Sequence, residues 1–152
     1  MNDHDLYSKK VSDDLFERKR LNTLVGVNKA ATLALGKAGL SFMKDFIAAA
    51  DTKAKRLKLA EELNIPYDDL YRIVLCSDMA QVVGLSGKIL CYLYESGYRT
   101  LESLKTAEPD DINRTVLAYL ASIGKRPTLP SCSRPGNWLG AARLTSSLIE
   151  LD

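Results

Sequence analysis

Laid over itself with a shift of 58 residues and no gap, the chain repeats. Residues 26–60 fall on 84–118, so that Gly26 meets Gly84, Leu35 meets Leu93, Gly39 meets Gly97 and Ala49 meets Ala107. Arg56 with Arg114, Leu59 with Leu117 and Ala60 with Ala118 complete seven identities in 35 positions. Unrelated chains share about two or three at average residue usage. Placement weighs more than the count, because both pairs of glycines match and apolar positions pair as well: Val27 with Leu85, Met43 with Leu101, Phe46 with Leu104. A doubled unit constrains the fold strongly, since each copy must build the same local structure. The match ends after Ile65 and Ile123, where the first copy runs on towards Tyr71 and the second enters a Pro-rich stretch.

Within each copy apolar residues recur three and four apart and strand-like alternation is absent, so the chain reads as all-α. Ser12 with Asp13 and Asp14 is placed to open a helix that carries Leu15, Phe16, Leu21 and Leu24. A second helix is expected from Asn28 to Ala38, closed by Gly39 in a left-handed cap. Ser41 is placed to cap a third over residues 42–50, and Thr52 a fourth over 53–63. Pro66 starts a fifth, where its missing N–H costs nothing, and Ser77 is placed to cap a short helix leading to Gly84. In the second copy a helix stops at Gly97, another begins at Thr100, and Pro109 opens one through Ala121. From Gly124, "GKRPTLPSCSRPGN" holds three prolines and no periodicity, and reads as a connector. Residues 138–152 read as one helix that packs back by Trp138, Leu144 and Leu148.

Hydrophobic residues at 46% and charged residues at 26% suit a folded domain of this size. No apolar run reaches the roughly 18 to 20 residues that span a bilayer, and "MNDHDLYSKK" has no apolar signal region, so a cytoplasmic protein without membrane contact is expected. Cys76, Cys91 and Cys132 lack metal or redox spacing, and the first two read as buried free thiols. His4 is the only histidine and lies in a terminal segment, which argues against a His-based triad or metal site. Asp68 and Asp69, like Asp110 and Asp111, sit in first helical turns, where the helix dipole explains them without chemistry. No phosphate-binding loop, dinucleotide fingerprint or zinc spacing occurs. The expectation is a protein that is not an enzyme, with no cofactor, no metal and no small-molecule substrate.

Residues 82–112, "VVGLSGKILCYLYESGYRTLESLKTAEPDDI", carry an apolar residue, Gly, an apolar residue, a small residue, a helix closed by Gly and a capped helix beginning Thr-Leu-Glu. This resembles a helix-hairpin-helix motif. The longer run from Lys55 to Lys105 is similar to a bacterial family, domain of unknown function 4332, built as a doubled helix-hairpin-helix. The resemblance spans about residues 12–123 and implies two tandem SAM-like units, repeats 26–65 and 84–123, in one compact all-α domain. Residues 1–11 would then be a tail, 124–137 a connector and 138–152 a C-terminal extension.

In helix-hairpin-helix proteins that bind DNA, the tight turn leaves backbone N–H groups at the N-terminus of the second helix, where a phosphate sits. Glycine serves there through positive φ and close backbone approach. The residues that match are Gly26, Val27, Asn28 and Lys29 in the first copy, and Gly84, Leu85, Ser86, Gly87 and Lys88 in the second. The motif has a second Gly two residues after the first, where this chain has Asn28 and Ser86; Asn tolerates a left-handed backbone, and Gly87 can stand in for Ser86. Lys88 takes the basic position after the turn, while the first copy has Ala30 there and Lys29 one earlier.

Each feature also has a plainer explanation. The glycines can simply let helices cross tightly. Lys53, Lys55, Arg56 and Lys58 form either a supporting basic face for phosphates or a solvated face opposite Ala54, Leu57 and Ala60. Tyr92, Tyr94 and Tyr98 suit base stacking or ordinary packing with exposed hydroxyls. Arg99 and Arg114 add to the second copy's positive charge, and Glu95, Glu102, Glu108, Asp110 and Asp111 oppose it. Two functions remain: sequence-nonspecific DNA binding through both corners, or a protein-interaction module whose partner is another protein or a second copy. The departures from the motif and the small net charge of +2 favour the second slightly, and the paired corners with their lysines favour the first.

Overall fold

The repeat becomes two runs of three helices with a seventh between them. The computed structural model describes residues 3, 6, 10, 15–85 and 87–152. In the first run α1 spans Lys29–Lys37, α2 Met43–Ala50 and α3 Lys53–Leu63; α4, Tyr67–Met79, follows. The second run is α5 Gly87–Glu95, α6 Leu101–Lys105 and α7 Pro109–Ser122, and α8 is Leu139–Arg143. Helices α1 and α5 begin at 29 and 87 and end at 37 and 95, each 58 apart. Among the described residues there is no strand, only a lone antiparallel bridge between Arg20 and Phe42.

Local chemistry explains most of these bounds. Thr52 caps α3 by accepting from the Lys55 amide at 3.2 Å, and Thr100 and Ser103 cap α6 reciprocally. Gly39 and Gly97 adopt φ of +85° and +104°, so the amides of Leu40 and Tyr98 turn back onto the carbonyls of Leu35 and Leu93. In α2 the buried residues Met43, Phe46, Ile47 and Ala50 follow the helical period. Helix α4 differs: every residue from Ile73 to Met79 is buried, as a helix enclosed on all sides must be. It packs on α1, α2 and α3 of the first run and on α5 and α6 of the second, forming the centre of the core.

Several expectations fail for identifiable reasons. Ser41 does not cap α2, because residues 41 and 42 are extended: Leu21 N–H donates to Ser41 O at 2.9 Å and Phe42 becomes the N-cap. Ser77 starts no helix; it lies inside α4, fully buried, since no Gly or Pro breaks the apolar run before Ala80. The residues placed to open the first helix, Ser12 to Asp14, lie outside the described residues. Beyond Phe16 that helix is not continuous, for Lys19 and Arg20 are extended and Leu21–Thr23 is a 3-10 turn.

The C-terminal segment is no single helix either. After Arg143 the chain straightens because Thr145 and Ser147 spend their hydroxyls on Ala141 O and the Asp78 carboxylate. Trp138 is buried as expected, Leu144 only half-buried, and Leu148 exposed. Trp138, Leu139, Ala141 and Ala142 join the same core as both repeats. The connector has structure as well, with 3-10 turns at Ser131–Ser133 and Pro135–Asn137.

Arg56 holds the end of this segment. Its guanidinium is fully buried and donates to Ala50 O at 2.9 Å, Glu150 O at 2.6 Å and Asp152 Oδ1 at 2.9 Å. It also reaches Tyr67 Oη at 3.3 Å and lies over the Tyr71 ring. The repeat-equivalent Arg114 is exposed and pairs with Asp111, one turn away on its own helix. Arg56→Ala is therefore expected to lower unfolding free energy by about 3 kcal/mol, and Arg114→Ala by less than about 0.5 kcal/mol. Urea denaturation measures both, and equal losses would refute the account.

Candidate nucleic-acid interface

The two corners open on the same positive-φ glycine and then part: Asn28 is extended at φ −66°, not left-handed, and Lys29 enters α1 without a positive φ, whereas its counterpart Gly87 is left-handed. Gly26 and Gly84 have φ of +79° and +90°, and Gly87 takes +54°, so Gly87 does supply the left-handed position that Ser86 would strain to adopt. Ser86 itself lies outside the described residues. Val27 is half-buried and Leu85 wholly buried; both serve as anchors that hold the corner onto the core. Lys29 and Lys88 are exposed at the first turns of α1 and α5.

At the first corner the helix N-terminus already has an occupant. Asn28 Oδ1 accepts from the amides of Ala30 at 2.9 Å and Ala31 at 3.3 Å, while its Nδ2 donates to Asp69 Oδ2 at 3.0 Å. A carboxylate thus stands beside the turn. The corner also packs tightly against the second repeat, for a Cβ added at Gly26 would lie 2.6 Å from Cys91 Sγ and 2.9 Å from an Arg72 guanidinium nitrogen. Arg72 in turn pairs with Glu95 at 2.7 Å, so Glu95 lies on the first corner's side and not over the second.

At the second corner the surroundings are cationic. Lys88, Lys125 and Arg126 line one groove of about 440 Å³ with Tyr92, Thr128 and Ser133, and no carboxylate is among the described residues that line it. Lys125 donates to Tyr92 Oη at 3.1 Å, a contact that pushes its pKa up and keeps it charged. Gly84 faces the C-terminal segment, with Trp138 Cβ and Cys132 O each 3.6 Å from where a Cβ would be. Lys19 fixes the carbonyl side: its ammonium donates to Ala80 O and lies 3.5 Å from Val82 O and 3.4 Å from Leu85 O.

The remaining candidates separate. Lys53, Lys55 and Lys58 are exposed, but Lys55 pairs with Asp51 at 2.9 Å and Lys58 reaches Glu62 at 3.8 Å, which neutralises much of that face. Arg56 leaves it altogether, drawn inward by the carbonyls and carboxylate described above. Ala54 and Leu57 are exposed, so the buried side of α3 runs through Arg56 and Ala60. Tyr94 is buried between the guanidiniums of Arg72 and Arg99, at 4.3 and 4.6 Å from its ring. Of the thiols, Cys76 is buried, Cys91 half-buried and Cys132 exposed.

Lys125 and Arg126 are the groove residues that sequence reasoning missed. Their signal was the dibasic pair directly after Gly124, whose φ of +76° turns the chain back towards α5. Among the described residues no group of His, Cys, Asp and Glu gathers to hold a metal ion, and no helix is long and apolar enough to cross a membrane. His4 lies outside the described residues.

Among known protein families, the model "Domain of unknown function (DUF4332)" matches residues 25–145. It extends past Ile123, through the Pro-rich run to Thr145. No curated protein and no solved structure matches the chain.

Two measurements check this geometry. Gly26→Ala is expected to cost more than the roughly 1–2 kcal/mol of a left-handed non-Gly residue, because its methyl meets Cys91, whereas Gly39→Ala meets open space and costs only the backbone part. Equal losses in chemical denaturation would refute the packing of the first corner. Burial pulls the Lys19 ammonium down from 10.5 to about 8. Between those values the unfolded chain holds a proton that the folded chain has released, so this group's contribution to stability rises as pH climbs from 8 to 10.5. Wild type is expected to gain stability relative to Lys19→Met over that interval, with the Lys19 amine titrating near 8 by NMR; a flat difference would refute it.

Proposed function

The chain belongs to the DUF4332 family, and since that name assigns no activity, we propose from its geometry that it is a non-catalytic module holding the phosphate backbone of DNA without reading sequence. In this reading the turn that leads into α1 and the turn between α4 and α5 are the hairpins of two tandem helix-hairpin-helix units, and the second does most of the binding. One observation carries it: three cations, Lys88, Lys125 and Arg126, share a groove beside the Gly84–Gly87 corner with no carboxylate in its lining. A phosphate placed there meets the N-terminus of α5, where amides and helix dipole favour an anion, and the cations surround it. Thr128 and Ser133 add hydroxyls that suit phosphate oxygens.

The first corner takes a lesser part. Asp69, held at 3.0 Å by Asn28, repels a phosphate from the turn that Lys29 would otherwise attract. That observation favours a second reading, in which the first repeat contacts a protein partner.

A salt series of fluorescence anisotropy with labelled random-sequence duplex and single-stranded DNA tests the main reading. Micromolar binding at low salt is expected, weakening with a log–log slope of about −2 to −3 as three cations displace counterions. Lys88→Glu with Lys125→Glu should abolish it, and Lys29→Glu should leave most of it. Absence of binding at low salt, or a double variant that binds like wild type, would sink the proposal.

A further inference from the structure

The charge around α1 is arranged differently from that at the second corner. Lys29, Leu33 and Lys37 are spaced i, i+4 and i+8, so they form one stripe along the helix. Leu33 is 61% exposed, more than any other large apolar side chain among the described residues. The stripe borders a groove of about 640 Å³ between α1 and the Leu21–Thr23 turn, with the buried Leu21 and Leu24 among its lining. Arg20 adds a third cation, and no acidic residue is among the described residues that line the groove.

These cations are unpaired in a protein that pairs many of its others. Lys44, Lys55, Lys58, Arg72 and Arg114 each reach a carboxylate, whereas Arg20, Lys29 and Lys37 have none among the described residues. Desolvating Leu33 is favourable only against an apolar group, and the charges around it favour an anion. A DNA backbone supplies the second without the first.

We propose that this groove docks a segment of a partner protein that sets an apolar side chain on Leu33 between carboxylates that meet Lys29 and Lys37. Eight helical residues separate the two lysines by roughly 12 Å, a distance that carboxylates about two turns apart on a helical segment can match, with the apolar residue on the turn between them. Arg20 closes the far wall, its guanidinium already stacked 4.8 Å from the Phe42 ring and so held in place. The proposal rests on the interaction reading of the first repeat and is independent of DNA at the second.

The test is a random-sequence peptide array probed with the whole chain and with two variants, Leu33→Ser and Lys29→Glu combined with Lys37→Glu. All three positions are exposed, and a thermal melt checks that the fold is kept. Wild type is expected to enrich peptides with Leu, Ile or Phe flanked on both sides by Asp or Glu. Leu33→Ser should weaken those peptides at least about tenfold, and the charge reversal should abolish binding. Enriched peptides that bind Leu33→Ser as tightly would overturn the groove while leaving the interaction reading standing, and no enrichment at all would overturn both. Enrichment of polyacidic peptides without an apolar requirement, or a self-association that Leu33→Ser disrupts, would also overturn it, the latter by giving the groove to a second copy.

Discussion

A helix end buried on all sides must have both its side chains and its backbone satisfied from outside, and the C-terminal half of α4 imposes that demand on everything around it. Its last turn carries Asp78, a carboxylate in the core, and it ends at Ala80 in an equally buried setting. Two distant parts of the chain answer. The C-terminal segment brings Ser147 Oγ to Asp78 Oδ2 at 2.7 Å and the Leu148 amide to Asp78 Oδ1 at 2.9 Å, with Gln81 Nε2 completing the set. Burial still raises the Asp78 pKa on balance, because those three donors only partly replace water. The N-terminal segment sends Lys19 to the carbonyls beyond Met79, the position where a cation complements a helix C-terminus. Removing either arm would leave polar groups of α4 buried without partners, a far larger loss than the contacts themselves contribute.

The same demand makes the repeats unequal. Both copies use a positive-φ glycine, a nine-residue helix and a glycine cap, so this much of the backbone is repeated, although Gly87 is left-handed where its counterpart Lys29 is not. A repeated backbone does not give identical neighbours. The first corner abuts Arg72, Cys91 and Glu95 near the protein's middle, whereas the second is walled by the segment from Lys125 to Trp138. Charge at each corner is therefore decided by what the fold packs beside it, not by the motif.

That division explains how much could be read in advance. Features fixed within a few residues were legible: the caps at Thr52 and Thr100, the turns at Gly39 and Gly97, and the helical period of α2. So was the repeat, which needs no knowledge of contacts. Features fixed by distant partners were not. Ser41 has the right side chain for a cap and is overruled by a bridge to residues twenty positions earlier. Arg56 sits among three lysines in sequence, and only the arrival of Glu150 and Asp152 from the far end of the chain turns it inward. Lys125 and Arg126 lay in a stretch dismissed for its prolines, although prolines that fix φ are well suited to holding a short irregular wall in place.

The C-terminal segment thus braces the core and walls the proposed groove through the same contacts. Trp138 closes over Gly84 and its indole N–H donates to Ser133 O at 3.0 Å, which ties the groove's edge to the core. Leu129, buried in the same core, holds the wall that carries Lys125 and Arg126. The span of the family match, residues 25–145, includes this wall and stops before the strap that reaches Arg56. A unit ending at Ile123 would keep both corners yet lose two of the three cations at the better one. The physical site is therefore larger than the motif that first points to it, and its charge comes from residues that the repeat does not contain.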